Sequence, residues 1–301
     1  MALRIGVSAV LFAAAVYILV QHWETVLESA RVARGASIPW LATSVVLMAG
    51  TFCIAAGVYG VLALHRLRYL QTVLVEVSTA FVNRLLPSGL GGLGIHGVYL
   101  YGRKHTGAEA TVVVSVNNLL GMLAHLLLLV AVVLVRPQVL QRFMTGKIHA
   151  DWRVGAAAAV VVAGVLAFPV VRRKLLAFGR HLLVSVRKLA LSQLTAGLLL
   201  AALLTITYTL ILFCAMRSLG LHLGVLEVFI VFSIGMLVGT ATPTPGGLVG
   251  AEAGLFAGFV AYGVTAPQAG AVVLLYRLVT YWLPIAPGVA ALAAARRARL
   301  L

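Results

Sequence analysis

Long apolar runs recur along almost the whole chain, and the short segments between them carry most of the Arg and Lys residues. A helix needs about 20 predominantly apolar residues to cross the hydrocarbon core of a bilayer. Runs that approach or exceed this length predict six membrane spans, at Ile5–Val20, Pro39–Leu64, Thr111–Val135, Val154–Val171, Gln193–Met216 and Gln268–Ala294.

Two further apolar stretches are interrupted by Pro and clustered Gly, which break helices. Broken backbone at membrane depth is tolerated only where it is buried in protein or lines a polar cavity. The pattern therefore predicts two re-entrant helix–break–helix hairpins, and two full spans for each hairpin would be the competing topology. The hairpins cover Leu70–Tyr101, with a break from Pro87 to Gly94, and Val225–Tyr262, with a break from Pro243 to Gly247.

The order span, span, hairpin, span occurs twice, and three spans in each half would insert the second half upside down. A Gly-Gly-Leu sequence follows Pro87 at Gly91–Leu93 and follows Pro243 at Gly246–Leu248. Inverted repeats with paired interrupted segments are typical of secondary transporters, whose binding sites lie near the midplane of the membrane. Two unrelated Gly/Pro-rich loops would be the alternative explanation.

The composition supports a membrane fold, because 62% of the residues are hydrophobic and only 10% are charged. Soluble domains have about 45–50% apolar and about 25% charged residues, and a soluble fold of this chain would expose far too much apolar surface. We therefore predict an all-α, polytopic membrane helix bundle. It would form a single transmembrane domain over residues 1–301, with inverted halves of about 1–150 and 151–301.

The net charge is +16, from 23 Lys and Arg residues against 7 Asp and Glu residues. With both termini in the cytoplasm, fourteen of the 23 basic residues fall in cytoplasmic segments, seven in external segments, and Arg84 and Arg277 in the membrane. This bias follows the positive-inside rule and predicts a multi-pass protein of the cytoplasmic (inner) membrane. The basic excess suits anionic lipid headgroups, and no basic and aromatic face suggests nucleic-acid binding.

Arg277 is the main candidate for function, because it lies near the centre of the last predicted span. A charge at that depth is costly and usually faces a partner or a cavity. We expect Arg277 to meet a lipid phosphate, and a structural ion pair with Glu252 is the alternative. Glu252 follows the second break, on the first turns of the returning helix, where free N–H groups favour either an anion or an ordinary capping carboxylate.

In the first half, the polar pair Asn83 and Arg84 precedes Pro87. Arg84 would either bind substrate or extend to the headgroup boundary. In the third span, Asn117 and Asn118 align with Tyr276 and Arg277 of the second half, and hydrogen bonding between helices is the alternative role for them. Glu76 and His96 carry less weight, and a structural role is the simpler interpretation of His96.

No enzyme signature is evident in the sequence. It contains no metal-ligand spacing, no Walker loop, no Gly-x-Ser-x-Gly and no paired acids, so we expect a protein that is not an enzyme and that needs no cofactor or metal. A membrane-embedded transferase acting on a lipid-linked donor remains a competing hypothesis, as does an accessory subunit of a cell-envelope complex.

The segment from Pro243 to Glu252, together with Tyr276-Arg277-Leu and Tyr281-Trp-Leu-Pro284, resembles the membrane region of lysylphosphatidylglycerol synthases and of their stand-alone, flippase-like relatives. Asn83-Arg-Leu-Leu-Pro87 fits the same pattern. The resemblance implies a membrane domain that moves a lipid between leaflets. In the bifunctional synthases a separate soluble domain attaches the amino acid to the lipid, and since this chain ends at Leu301, soon after its last span, we expect no synthase activity.

These observations predict a flippase for a lipid or a lipid-linked headgroup. Its partners would be an anionic phospholipid or lipid-linked substrate and the membrane, with a second copy or a cell-envelope enzyme as further partners. The predicted substrate-binding residues are Arg277, Glu252, Tyr276, Pro243, Pro245, Gly246, Gly247, Asn83, Arg84, Pro87, Gly91, Gly92, Asn118 and Tyr281.

Overall fold

The computed structural model describes residues 23–85, 90–144, 189–242 and 249–301, and within these ranges the chain is helical, with short turns and no strand. The helices are α1 (Trp23–Arg34), α2 (Ile38–Leu62), α3 (Tyr69–Leu85), α4 (Leu90–Tyr101), α5 (Gly107–Val135), α6 (Pro137–Met144), α7 (Leu191–Ser218), α8 (Val225–Ala241), α9 (Gly250–Ala261), α10 (Ala266–Arg277) and α11 (Ile285–Arg297). A π-helical turn, Leu278–Trp282, lies between α10 and α11.

Four helices in the described part of the chain are long and apolar enough to cross a membrane: Ile38–Leu62, Gly107–Val135, Leu191–Ser218 and Ala266–Arg297. They correspond to four of the six spans that hydropathy predicts. The other two predicted spans, Ile5–Val20 and Val154–Val171, lie outside the described residues.

The helix ends differ from the predicted ends where polar side chains cap the backbone. Helix α5 begins four residues before Thr111, because Thr106 and Glu109 form a reciprocal capping box that satisfies free N–H groups at the helix start. Helix α7 begins at Leu191 because the side chain of Gln193 accepts a hydrogen bond from the backbone N–H of Ala190, at 3.0 Å.

Each interrupted segment consists of two helices that lie antiparallel. Between α3 and α4, Thr72 hydrogen-bonds to Tyr99 at 3.0 Å and Glu76 to His96 at 2.8 Å, so the contacts run in opposite directions along the two helices. Between α8 and α9, small residues let the backbones approach closely. A Cβ atom at Gly254 would lie 2.9 Å from the Cα atom of Gly235.

The helices pack around α2 and α7, which contact each other at the centre of the described part. One core joins α2, α5 and α7 around Leu62, Val113 and Leu120. A second core joins the four helices α7, α8, α9 and α10, and Phe232 and Phe259 are fully or almost fully buried in it. Helix α11 packs against α3, and α10 packs against α1. The first hairpin and the final helix are therefore neighbours, although they are distant in sequence.

His105 joins the turn between α2 and α3 to the turn between α4 and α5. Its Nε2 accepts hydrogen bonds from the backbone N–H groups of Leu64, at 3.2 Å, and His65, at 3.3 Å. Its Nδ1 donates to the carbonyl of Leu100, at 3.1 Å, which leaves a neutral imidazole with one donor and one acceptor. Burial and the nearby His65 lower the pKa of His105.

Candidate functional site

Helix α10, the π turn and α11 form one continuous final helix, Ala266–Arg297. The backbone hydrogen-bond pattern of this helix changes at the π turn, which follows Arg277. The backbone N–H of Leu283 donates to the carbonyl of Leu278, five residues earlier, at 2.8 Å. Pro284 has no N–H group, so the carbonyl of Thr280, four residues before it, loses its ordinary helical donor. Turns of this kind are frequent at functional sites.

Arg84, at the end of α3, donates to the carbonyls of the π turn. Its Nη2 donates to the carbonyl of Thr280, at 2.6 Å, and its Nε to the carbonyl of Tyr281, at 3.3 Å. Its Nη1 donates to the carbonyl of Ala80 on its own helix. The guanidinium group also lies over the ring of Tyr281, with 5.1 Å between Cζ and the ring centre. Arg84 therefore fixes the first hairpin to the final helix.

Arg277 and Glu252 form an ion pair, with 2.7 Å between Nε and Oε1. Glu252 lies in the first turn of α9, directly after the second break, as the sequence predicts. The side chains are 15% and 27% exposed, so the pair is mostly buried. Arg277 Nε, Arg277 Nη2 and Glu252 Oε2 are buried and have no hydrogen-bond partner among the described residues. The ion pair therefore leaves buried N–H donors on Arg277 and a buried acceptor oxygen on Glu252 without a hydrogen bond.

Tyr281 connects the two arginines, because the Cζ atom of Arg277 also lies 6.0 Å from its ring centre. Tyr281 and Tyr276 are almost fully buried. Arg84 makes no ion pair with any described residue, and Glu252 is the only described acid that pairs with Arg277. Two cations and one carboxylate around one ring leave a net charge of about +1, which a buried site compensates best with an anion.

Asn83 and Gly91, two predicted site residues of the first half, hold the two helices of the first hairpin together. The side-chain oxygen of Asn83 accepts a hydrogen bond from the backbone N–H of Gly92, at 2.6 Å, and so caps the start of α4. A Cβ atom at Gly91 would lie 2.7 Å from the carbonyl oxygen of Val82, so a side chain there would push the two helices apart. These residues place Arg84 and do not themselves contact the Tyr281 ring in the described part.

Asn118 is exposed on α5, and no contact joins it to Tyr281 within the described ranges. Its neighbour Asn117 donates to the Tyr59 hydroxyl at 3.5 Å, a contact between helices α5 and α2. Pro87, in the first break, lies outside the described residues. Of the second break, the predicted site residues Pro243, Pro245, Gly246 and Gly247 also lie outside them.

Sequence reasoning missed two features of this region. It did not place Arg84 on the carbonyls of the final helix, although Pro284, four residues after Thr280, signals a carbonyl without a donor. It also did not pair Glu76 with His96, although antiparallel arms on either side of a break bring such residues together.

The fold and the site define a multi-pass, all-helical membrane protein with a buried basic site beside two interrupted helix pairs. The family described as the lysylphosphatidylglycerol synthase TM region matches residues 1–288. The chain therefore belongs to this family, which is associated with lipid handling in membranes. No curated protein matches the chain.

Proposed function

We propose that the protein moves an anionic lipid between the two leaflets of the membrane, with the lipid phosphate bound between Arg84 and Arg277. The observation that carries this proposal is the charge around Tyr281: two guanidinium groups and one carboxylate. A phosphodiester carries one negative charge and would neutralise the excess. Arginine also matches phosphate geometry through paired N–H donors.

The unpaired atoms support a headgroup that both accepts and donates hydrogen bonds. The phosphate would accept from Arg277 Nη2, and a hydroxyl or ammonium group of the headgroup would donate to Glu252 Oε2. Both protein atoms are buried, and an unsatisfied buried polar group costs about 1–3 kcal/mol. A headgroup with a hydroxyl or amine beside its phosphate would satisfy both atoms at once.

The lengths of the hairpin helices support re-entry and an internal repeat. Helices α8 and α9 have 17 and 12 residues, and the described parts of α3 and α4 also extend over 17 and 12 residues. At 1.5 Å per residue these are about 26 and 18 Å long, against a hydrocarbon core of about 30 Å. We propose that both hairpins re-enter, that the halves are inverted with both termini in the cytoplasm, and that rocking of the halves moves the site between leaflets.

The proposal is tested by reconstituting the purified protein into liposomes and following leaflet exchange of labelled lipids by quenching from outside. The panel comprises labelled phosphatidylglycerol, an anionic lipid, labelled phosphatidylcholine, which has no net charge, and labelled glycolipids and polyprenyl phosphates. We expect faster exchange of the anionic lipid. Arg84→Gln and Arg277→Gln should each slow it at least about tenfold, since a hydrogen bond to a charged group contributes about 1.5–3 kcal/mol.

Arg136→Gln is the matched control, because Arg136 is exposed at the end of α5, and this variant should exchange lipid like the wild type. Size-exclusion chromatography of each variant checks that it is folded. If folded wild-type protein moves no lipid, including glycolipids and polyprenyl phosphates, the proposal is wrong. The transferase and the accessory-subunit hypotheses would then take its place.

A further inference from the structure

A second polar group lies between the two helices of the first hairpin. Nε2 of His96 on α4 lies 2.8 Å from Oε1 of Glu76 on α3, and the side chains are 5% and 10% exposed. Nδ1 of His96 lies 2.8 Å from the carbonyl oxygen of Gly92. The ring of Tyr59 stacks on the imidazole, with 4.0 Å between ring centres and 4° between planes. The pair is thus enclosed by three helices.

The hydrogen bonds define how many protons the pair holds. A carbonyl oxygen can only accept, so Nδ1 of His96 carries a proton and donates to Gly92. The contact between Nε2 and the Glu76 carboxylate then needs one more proton, on either atom, because both atoms are otherwise acceptors. With this shared proton the pair is neutral, and without it the pair carries one negative charge.

The shared proton holds the two helices of the hairpin together. When it leaves, a nitrogen lone pair faces a carboxylate oxygen at 2.8 Å, and the contact becomes repulsive. Gly92 transmits the change, since its carbonyl accepts from His96 while its N–H donates to Asn83. Asn83 is the chain neighbour of Arg84, which contacts the π turn.

Few other ionisable groups face the pair within the described residues. Tyr59 of α2 stacks on His96, and Tyr208 of α7 interacts electrostatically with both Glu76 and Arg84. Both tyrosines are neutral near pH 7, and Arg84 is the cation nearest along α3. The other ionisable side chains on the helices around the pair are engaged elsewhere or exposed. Those with a partner are Tyr69 (bound to the Cys53 carbonyl), Tyr99 (bound to Thr72), Glu109 (bound to Thr106) and His125 (against Phe229 and Phe232), and those that are exposed are Cys53, Tyr101, Arg296 and Arg297.

We propose that Glu76 and His96 form a proton-binding site. We also propose that a proton at this site and an anion bound between Arg84 and Arg277, beside the ring of Tyr281, bind cooperatively. The coupling rests on the lipid function proposed above, whereas proton binding itself does not. An anion beside Arg84 opposes a negative charge on the Glu76–His96 pair, so each ligand favours the other, and linkage requires equal effects in both directions. A proton gradient would then drive lipid movement.

The size of the coupling follows from the distance between the two sites. Glu76 and Arg84 are eight residues apart on one helix, which places their Cα atoms about 12 Å apart. Two unit charges at that distance, at an effective dielectric constant of about 20, change a binding constant about tenfold. We therefore expect the affinity for an anionic lipid to rise about tenfold when the pair is protonated.

Glu76→Gln separates protonation from packing. The amide can donate to His96 Nε2 as a protonated carboxyl would, so the variant keeps the hydrogen bond and imitates the protonated Glu76–His96 pair. Glu76→Asp retains a titratable group. His125→Gln is the matched control, because His125 is a partly buried membrane histidine whose ring lies against Phe229 and Phe232.

The first measurement follows leaflet exchange of labelled phosphatidylglycerol with and without a pH gradient across the liposome. Wild type, Glu76→Asp and His125→Gln should exchange faster with the gradient, and the binding of this lipid in detergent should tighten about tenfold at acidic pH. Glu76→Gln should still exchange lipid without a gradient, and the gradient should not change its exchange rate. Equal rates for wild type with and without the gradient, or a gradient response that survives in Glu76→Gln, would overturn the coupling.

The second measurement does not depend on lipid movement. Infrared difference spectra of the purified protein after a pH change should show a signal from the Glu76–His96 pair that Glu76→Gln removes and His125→Gln retains. A spectrum unchanged by Glu76→Gln would overturn proton binding at this site. If the wild type moves no lipid but shows the signal, the proposed function and the coupling are wrong, whereas the proton-binding site stands.

Discussion

The ion pair between Arg277 and Glu252 permits a test that separates a structural role from a role in binding. Glu252→Gln leaves an unpaired buried guanidinium group, and Arg277→Gln leaves an unpaired buried carboxylate. Removing one partner of a fully buried pair costs about 3–5 kcal/mol. Because these side chains are 15% and 27% exposed, we expect about 2–3 kcal/mol for each single variant.

The double variant Arg277→Gln/Glu252→Gln removes both charges and leaves two amides of similar size. Its free energy of unfolding should return to within about 1 kcal/mol of the wild type, because no uncompensated charge remains. The single variants should lower the midpoint of thermal unfolding in detergent by about 5 °C or more. The midpoints are measured by fluorescence-detected size exclusion after heating.

Leaflet exchange of labelled phosphatidylglycerol by the same four proteins then assigns the role of Arg277. If Arg277 binds the phosphate, the double variant regains stability but stays at least about tenfold slower than the wild type. If the double variant regains both stability and exchange, Arg277 serves only the fold and the binding argument is refuted. Unchanged midpoints in both single variants would show that the ion pair does not contribute to folding.

Three other contacts give further predictions. Arg84→Lys should lower the thermal midpoint, since a single ammonium group replaces the planar fork that reaches both carbonyls of the π turn, and a midpoint equal to the wild type would contradict this. The folded protein binds a proton at His105 less well than the unfolded chain, so its stability should fall as the pH drops below about 6.5. Thermal unfolding measured at several pH values should show a smaller fall of the midpoint in His105→Gln than in the wild type. Gly254→Leu should lower the free energy of unfolding by about 1–3 kcal/mol or more, because the side chain forces α8 and α9 apart. Gly121→Leu is the control, since the Cβ position there faces open space, and its thermal midpoint should stay close to that of the wild type.

The long spans could be predicted from the sequence because the bilayer imposes a length and an apolar composition on them. Gly107–Val135 and Leu191–Ser218 are apolar over more than 20 residues, and no soluble alternative competes with that signal. Their first residues could not be predicted from hydropathy. Thr106 and Gln193 set them through polar capping bonds, which contribute little to a hydropathy average.

The site could be predicted only in part, because sequence gives the depth of a side chain along a helix but not its neighbour across a helix contact. The depth of Arg277 and its position relative to Glu252 follow from counting residues. The meeting of Arg84 with the π turn, 196 residues away in sequence, depends on how α3 packs against the final helix. The repeat alignment pairs Asn118 with Arg277, yet Asn118 is exposed and makes no contact with the Tyr281 ring within the described ranges.

The position of Arg84 follows from the backbone chemistry of the final helix. Pro284 withholds one donor, and in a membrane no water is available to replace it, so the carbonyl of Thr280 needs a side-chain donor. An arginine satisfies that carbonyl with one N–H and retains others, whereas a serine or an amide would satisfy it without bringing a charge. The hydrogen bond that repairs the helix therefore also introduces a positive charge beside Tyr281. Because that charge has no acidic partner among the described residues, the repaired helix favours an anion at the point where the two halves of the chain meet.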